Sequence, residues 1–443
     1  MARSTLGILT AALLLMYPTT PTAQQVIFGP EVTVSVNKDG GRLRVEPSAV
    51  IVGDTVVVAW NDSRAGRDFK VGTGTGIAWS RSTNGGQSFE CGGYQPSPDE
   101  VTEPSGADSW LVATKSGEIL LQLLHWSGRK QSVRIYALPH PADTVWNLRG
   151  IGAAAARVDK PAMAVGDSGW VGIGYTSESA IAFVRSMNDG KTWSDLLVVS
   201  DTSRRTRTGV GVANSGRQVL AVWLEGEGSA LNEVWSAFSL DGGGRFSKAA
   251  KVRRLVLGLS PPPGYALGVG PAGFIANNAW LACSGGRTPV FHLVYTEGRP
   301  RGSVVLYQRA LPRGDQLIWD EPKVIAGSDS VWAVFPSVAV FDDRIGILYY
   351  DSRHSTASQT LMDAYLSVGV PGSLTDYRLT TVSTSWPDVP GDREHAPVQR
   401  NFGDYITLAS DGLSGVAAWT DGRTGEPRIM VRRFDLLRAD STR

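Results

Sequence analysis

The chain has 443 residues, with 43 Lys and Arg against 42 Asp and Glu, so its net charge at neutral pH is +1. That balance leaves no electrostatic footprint for nucleic acid or an anionic membrane surface, and neither is expected as a partner. Two cysteines, Cys91 and Cys283, are too few for a disulfide framework; a single bridge and two separate thiols both fit them.

In chain order, Arg3 comes first, then an apolar run over 6–16, then Pro18 and small residues ending near Ala23. This is the layout of a secretory signal peptide, expected over 1–23, and it implies a secreted or periplasmic protein. The apolar run is too short to cross a bilayer, and no later stretch is long enough. Residues 24–443 are expected to form one domain, because internal repetition overrides the length prior.

Residues 32–36 read as an orphan strand. The first repeat unit follows as Val56-Val57-Val58-Ala59-Trp60-Asn61-Asp62-Ser63-Arg64, a continuous apolar run closed by an aromatic and a polar cluster. Copies end at Tyr350-Asp351-Ser352-Arg353 and Trp419-Thr420-Asp421-Gly422-Arg423, and weaker ones at Trp126, Tyr175, Trp223 and Tyr295. The seven aromatic markers are 48 to 72 residues apart, the scale of one four-stranded blade with its loops. Continuous apolar runs suit strands covered on both faces, as the inner strands of a propeller blade are. The fold class is therefore all-β, a β-propeller of seven four-stranded blades, with six open if one weak unit is an insertion. The last unit stops after its third strand, 429–434, so the orphan strand is expected to complete that blade and close the ring.

A second motif reads Ser186-Met187-Asn188-Asp189-Gly190-Lys191-Thr192-Trp193, with copies at Ser82-Thr83-Asn84-Gly85-Gly86-Gln87-Ser88-Phe89 and Ser239-Leu240-Asp241-Gly242-Gly243-Gly244-Arg245-Phe246. Asn or Asp can bond its own backbone, Gly can take a left-handed conformation, and the aromatic packs inward, which makes a hairpin turn. These motifs resemble the Asp box, or BNR repeat, of the sialidase superfamily. The resemblance covers the mature chain through its repeats and implies a sialidase-like propeller whose Asp boxes serve structure. The Asp-x-Arg units at Asp62/Arg64, Asp351/Arg353 and Asp421/Arg423 recur too often for one axial site; a turn clamp is the simpler reading.

The resemblance also nominates site residues. Sialidases carry Arg-Ile-Pro on the first strand, and here the stretch is Arg44-Val45-Glu46-Pro47-Ser48, with one extra residue. A one-residue slip turns the Arg away unless a bulge compensates. Asp68 matches the family's acid/base, Tyr405 is a candidate nucleophile and Glu394 its backing carboxylate. Arg44, Arg64, Arg353, Arg400 and Asp404 are the substrate-binding candidates. The bland alternatives are a Tyr405 hydroxyl bonding across a blade junction and arginines held in structural pairs.

No cofactor and no zinc-type ligand spacing is seen; Asp-rich loops leave calcium open, without a specific ligand loop. Of the histidines, His125, His140, His292, His354 and His395, His125 and His292 end apolar strands and read as satisfied core residues. A His/Tyr pair would also serve a polysaccharide lyase, without a motif to support it. The expectation is a monomer that acts on or recognises a glycan or glycoconjugate, an exo-α-sialidase-type glycoside hydrolase. A non-catalytic binding or scaffold propeller is the alternative. Fold does not decide between them.

Overall fold

The structure is a computed structural model that describes residues 25–35, 44–63, 75–95, 106–127, 130–155, 157–201, 203, 205–227, 230–257, 280–286, 288–356, 361–384, 388–389, 399–400 and 403–437. The leader expected at 1–23 lies outside them.

Seven antiparallel sheets form the blades of a propeller. Their innermost strands are Arg44–Val52, Gly106–Ala113, Val158–Val165, Thr206–Ser215, Trp280–Ser284, Ala333–Phe341 and Thr407–Ser410, numbered here blades 1 to 7. Each packs on the next, and blade 7 packs on blade 1, so the ring is closed. Within a blade the chain runs outward; blade 1 continues through Thr55–Ser63, Thr75–Ser82 and Glu90–Gln95. In blade 5 the outer edge is shared by two short strands, Gln316–Trp319 and Lys323–Gly327, both paired with Gly302–Arg313.

Closure is made by the strand Val26–Thr33, which pairs antiparallel with Arg428–Leu436 as the outermost strand of blade 7. The orphan strand thus starts six residues before the expected 32–36. Phe28 packs on Tyr377 and Phe434, with ring centroids 5.4 and 5.9 Å away. Glu31 beside it takes an ion pair from Arg423.

The second strands hold the core. Trp60, Tyr175, Trp223, Tyr295 and Trp419 are all buried at equivalent register positions. Two of the seven sequence markers are out of step. Register places Leu123, not Trp126, and Tyr349, not Tyr350, at that position. Each aromatic removes roughly 150–250 Å² from water, worth about 4–6 kcal/mol at ~25 cal/mol per Å². Turn hydrogen bonds at about 1 kcal/mol each are secondary in energy.

The three Ser-x-Asn/Asp turns share one hydrogen-bond set. Ser186 Oγ donates to Asn188 Oδ1 (2.9 Å) and accepts the Gly190 N–H (2.9 Å), while the Thr192 N–H reaches Asn188 Oδ1 (2.9 Å). Ser82/Asn84 and Ser239/Asp241 repeat it. The first turn lies beside the hairpin at Gly53, since the Gly85 N–H bonds Asp54 O. That is the far end of the blade from Arg44 and Asp62, which pair with each other. Cys91 and Cys283 are separate thiols, in blades 1 and 5.

Candidate active site at the propeller axis

The inner strands begin with a shared irregularity. Register slips between Val45 and Ser48, Ala107 and Trp110, Asp159 and Ala162, Thr208 and Gly211, and Val334 and Ser337. At each, two residues oppose one on the next strand, a β-bulge. The first of the two takes a left-handed conformation: Glu46 (φ 59°), Asp108 (φ 52°), Lys160 (φ 44°), Gly209 (φ 66°) and Phe335 (φ 53°). Pro47, Pro161 and Pro336 follow three of them; a proline is tolerated there because the bulge leaves its missing N–H without consequence.

In three adjacent blades the bulge residue is charged, and the three side chains converge. Lys160 Nζ lies 3.0 Å from Asp108 Oδ1, 2.7 Å from Asp404 Oδ2 and 3.6 Å from Glu46 Oε1. Four blades thus contribute, since Asp404 opens blade 7. The Asp404 N–H donates to Glu46 Oε1 (3.0 Å), and Asn61 Nδ2 donates to Glu46 Oε2 (2.7 Å). Gly403 makes the approach feasible: its φ is 82°, and a Cβ there would sit 2.6 Å from Glu46 Cγ.

One layer deeper, Trp110 of blade 2 and Trp280 of blade 5 stack with centroids 4.5 Å apart. Blades 2 and 5 are not neighbours, so this contact crosses the axis and closes the channel beneath the charges. Tyr405 completes the floor, 6.3 Å from Trp110 and 6.4 Å from Trp280, with Lys160 Nζ 5.7 Å from its ring centroid.

Four carboxylates, Glu46, Asp108, Asp159 and Asp404, face one ammonium. Burial, reinforced by Asp404 and Asp108, pushes the Glu46 carboxyl well above its usual range, and Lys160 only partly offsets this. Asp159, half-buried at the same level, is raised to about 6 by burial and by Asp108, against the pull of Lys160. Burial disfavours the Lys160 ammonium, but the carboxylates outweigh it and hold its pKa well above the ordinary value. The cluster therefore holds carboxyl protons to higher pH than ordinary carboxyl groups do, beside other carboxylates, an arrangement from which general acid–base chemistry can be built.

Among the residues nominated from sequence, Asp404 and Tyr405 lie in this cluster. Tyr405 is buried, its hydroxyl donates to Ser109 O (3.2 Å), and burial raises its pKa well above the ordinary range. Those features suit a wall of the buried cluster better than a nucleophile. Arg44 is buried with Nε 3.5 Å from Asp62. A bulge does sit beside it, and the residue it re-aims is Glu46. Arg353 grips Asp351 with Nε (2.9 Å) and NH2 (3.0 Å) and lies over the Tyr365 ring; Arg423 holds Asp421 in the same way. Asp68, Glu394 and Arg64 lie outside the described residues, as does the side chain of Arg400. His292 is a satisfied core residue, bonded to Tyr307 Oη (2.8 Å) and Ser284 Oγ (3.1 Å), whereas His125 is buried with neither ring nitrogen hydrogen-bonded among the described residues.

Glu46, Asp108, Asp159 and Lys160 were not nominated from sequence. Their one visible signal is a charged residue directly before a proline at the head of an apolar strand, in Glu46-Pro47 and Lys160-Pro161. Among the described residues no group of His, Cys, Asp and Glu is arranged to hold a metal ion, and no helix is long and apolar enough to cross a membrane.

No family model matches the chain, and no curated protein matches it. Among solved structures it is similar to the α-L-arabinanase of Penicillium chrysogenum complexed with arabinobiose (12% identity, TM-score 0.49, covering 92% of this chain and 98% of that one). It is also similar to an α-L-arabinofuranosidase of Fusarium graminearum (10% identity, TM-score 0.47, covering 94% and 99%). A third similar structure is the NanB sialidase of Streptococcus pneumoniae (11% identity, TM-score 0.43, covering 93% and 71%).

Proposed function

We propose that this propeller is a glycoside hydrolase working at its axial acidic pocket. The observation that carries the reading is the convergence of Asp108, Asp159, Asp404 and Glu46 from four blades around Lys160, above an aromatic floor. Glycosidic cleavage needs one carboxyl group that holds a proton and one carboxylate that supports the cationic transition state or activates water. In this reading Asp159, titrating near 6 and half-buried, protonates the departing oxygen. Asp404 is the facing carboxylate, with one oxygen on Lys160 and the other unengaged among the described residues. Glu46 positions Asp404 through its backbone N–H. The resemblance to sialidases supports a glycan as substrate, and a sialidase-type reaction is one version of the same proposal.

The test is turnover of a panel of aryl glycosides, sialosides included, by the full chain. Asp159→Asn and Asp404→Asn should each lower kcat/KM by roughly 10²–10⁴-fold, the usual worth of a positioned acid or base. The fall in activity as pH rises through about 6 should disappear with Asp159. Turnover that survives both substitutions, or no turnover at all, rejects hydrolysis at this site.

A second reading is favoured by one observation: the Lys160 ammonium is already surrounded by three carboxylates from three other blades. As a latch it would hold blades 1, 2, 3 and 7 in register within a non-catalytic binding propeller. The same variants would then change stability and leave every glycan assay blank.

A further inference from the structure

We propose that the axial pocket selects a sugar unit that carries hydroxyl or ammonium donors and no carboxylate. The inference rests on the hydrolase reading above and narrows its substrate to neutral or amino sugars.

Several buried polar atoms in and around the cluster lack hydrogen-bond partners among the described residues, Arg44 Nε, Ser109 Oγ and Gln122 Oε1 among them; two that lie next to Tyr405 are Asp404 Oδ1, a pure acceptor when ionised, and Trp280 Nε1, a pure donor. Asp404 is 6% exposed and Trp280 7%. Both flank Tyr405, one as its chain neighbour and the other across an edge-on ring contact. Buried groups of this kind are costly unless a partner arrives. A sugar hydroxyl answers both, donating to the carboxylate and accepting from an indole N–H. A carboxylate answers only the indole and brings negative charge towards four acids.

The cations near the axis among the described residues do not reverse that preference. Lys160 is engaged by Asp108 and Asp404, Arg44 is ion-paired with Asp62 at 3.5 Å though its Nε makes no hydrogen bond, and Arg353 closes a two-point pair with Asp351. Trp110, Trp280 and Tyr405 line the site with aromatic apolar surface, the indoles stacked on each other and Tyr405 tilted against both, a lining suited to the C–H groups of a sugar.

The experiment is calorimetric binding at pH 7 on the full chain, with methyl glucoside, methyl galactoside, methyl arabinofuranoside, glucosamine and the methyl glycoside of N-acetylneuraminic acid as probes. At least one neutral or amino sugar should bind ten-fold or more tightly than the sialoside. Asp404→Asn should weaken that sugar by about ten- to hundred-fold, the worth of a hydrogen bond to a charged group, and narrow its lead over the sialoside. Trp280→Phe, which keeps an aromatic ring while removing the N–H and part of the indole, should weaken it by about three- to ten-fold, with the melting midpoint recorded to separate lost binding from lost packing. Tightest binding by the sialoside overturns this inference and leaves the hydrolase reading standing. Neutral-sugar binding indifferent to both substitutions overturns it as well. No saturable binding or turnover of any sugar overturns both.

Discussion

Glu46, Asp108 and Lys160 each hold a left-handed backbone conformation that glycine would adopt freely. For a side chain with a Cβ this costs about 1 kcal/mol or more, and such residues persist only where their surroundings over-determine them. Phe335 shows that the bulge belongs to the architecture, since its ring goes into the blade core against Tyr350. What sets blades 1 to 3 apart is that the same backbone device is given charged occupants, and their charges do not cancel. Asp159 reports the imbalance. Its folded pKa, about 6, lies above the unfolded value near 3.8. The fold therefore binds more protons than the unfolded chain between those limits, and stability from this group falls as pH rises through 4 to 6. Asp159→Asn removes that loss while keeping the oxygen that accepts the Lys160 N–H (3.0 Å). The variant should match the wild type at pH 4 and exceed it by about 1–3 kcal/mol at pH 7. Urea titrations at the two pH values measure this directly; an Asn variant that gains nothing at pH 7 contradicts the charge imbalance.

At the scale of strands and turns, the repeated Ser-x-Asn/Asp hairpins and the axial charged cluster occupy opposite ends of the blades, so they are separable. Ser186 is buried and serves two backbone N–H groups, of Asn188 and Gly190. Ser186→Ala strands a buried donor and should cost about 1–3 kcal/mol in chemical unfolding. Sugar binding at the axis should be unaltered, and a change there would mean that the two ends are coupled. The same distinction explains what was legible in the sequence. Blades are legible because burial on both faces writes continuous apolar runs, as in 56–60 and 416–419. Spacing was less so: Trp126 and Tyr350 attracted attention as aromatics, although Leu123 and Tyr349 fill the repeated position. Asp404 and Tyr405 were found because they break the repeat. In the sequence Glu46 stands out only as an interruption beside Arg44, and Asp108 and Lys160 belong to no motif. A bulge changes which way a side chain faces without changing composition, and in Asp108-Ser109 not even a proline marks it. Convergence on the axis is a property of the closed ring, which no single strand encodes.

For the whole molecule, the axis is where the blades meet, and the Lys160 cluster ties one end of the ring's closure to its start. Blade 7 reaches blade 1 through the Asp404 N–H on Glu46 and through Thr407 Oγ1, which donates to Pro47 O (2.7 Å). Blade 3 reaches both through Lys160, and blade 2 through Asp108. Removing the ammonium leaves carboxylates facing one another in a buried site, where breaking an ion pair typically costs about 3–5 kcal/mol. Lys160→Met should therefore destabilise the whole ring in one transition, not a single blade, and the loss should grow with pH as the acids are forced to ionise. Sign follows from proton binding: the folded variant holds protons that its unfolded chain releases above pH 4, so rising pH favours unfolding. Adding Glu46→Gln deletes one of the charges and keeps Oε1 as an acceptor for the Asp404 N–H. The double variant should recover part of the loss at pH 7 and little at pH 4, a non-additivity expected of groups in direct contact. Thermal unfolding of wild type, both single variants and the double at the two pH values completes the cycle. Additive effects, or a loss independent of pH, would show that these residues support the ring by packing and not by charge.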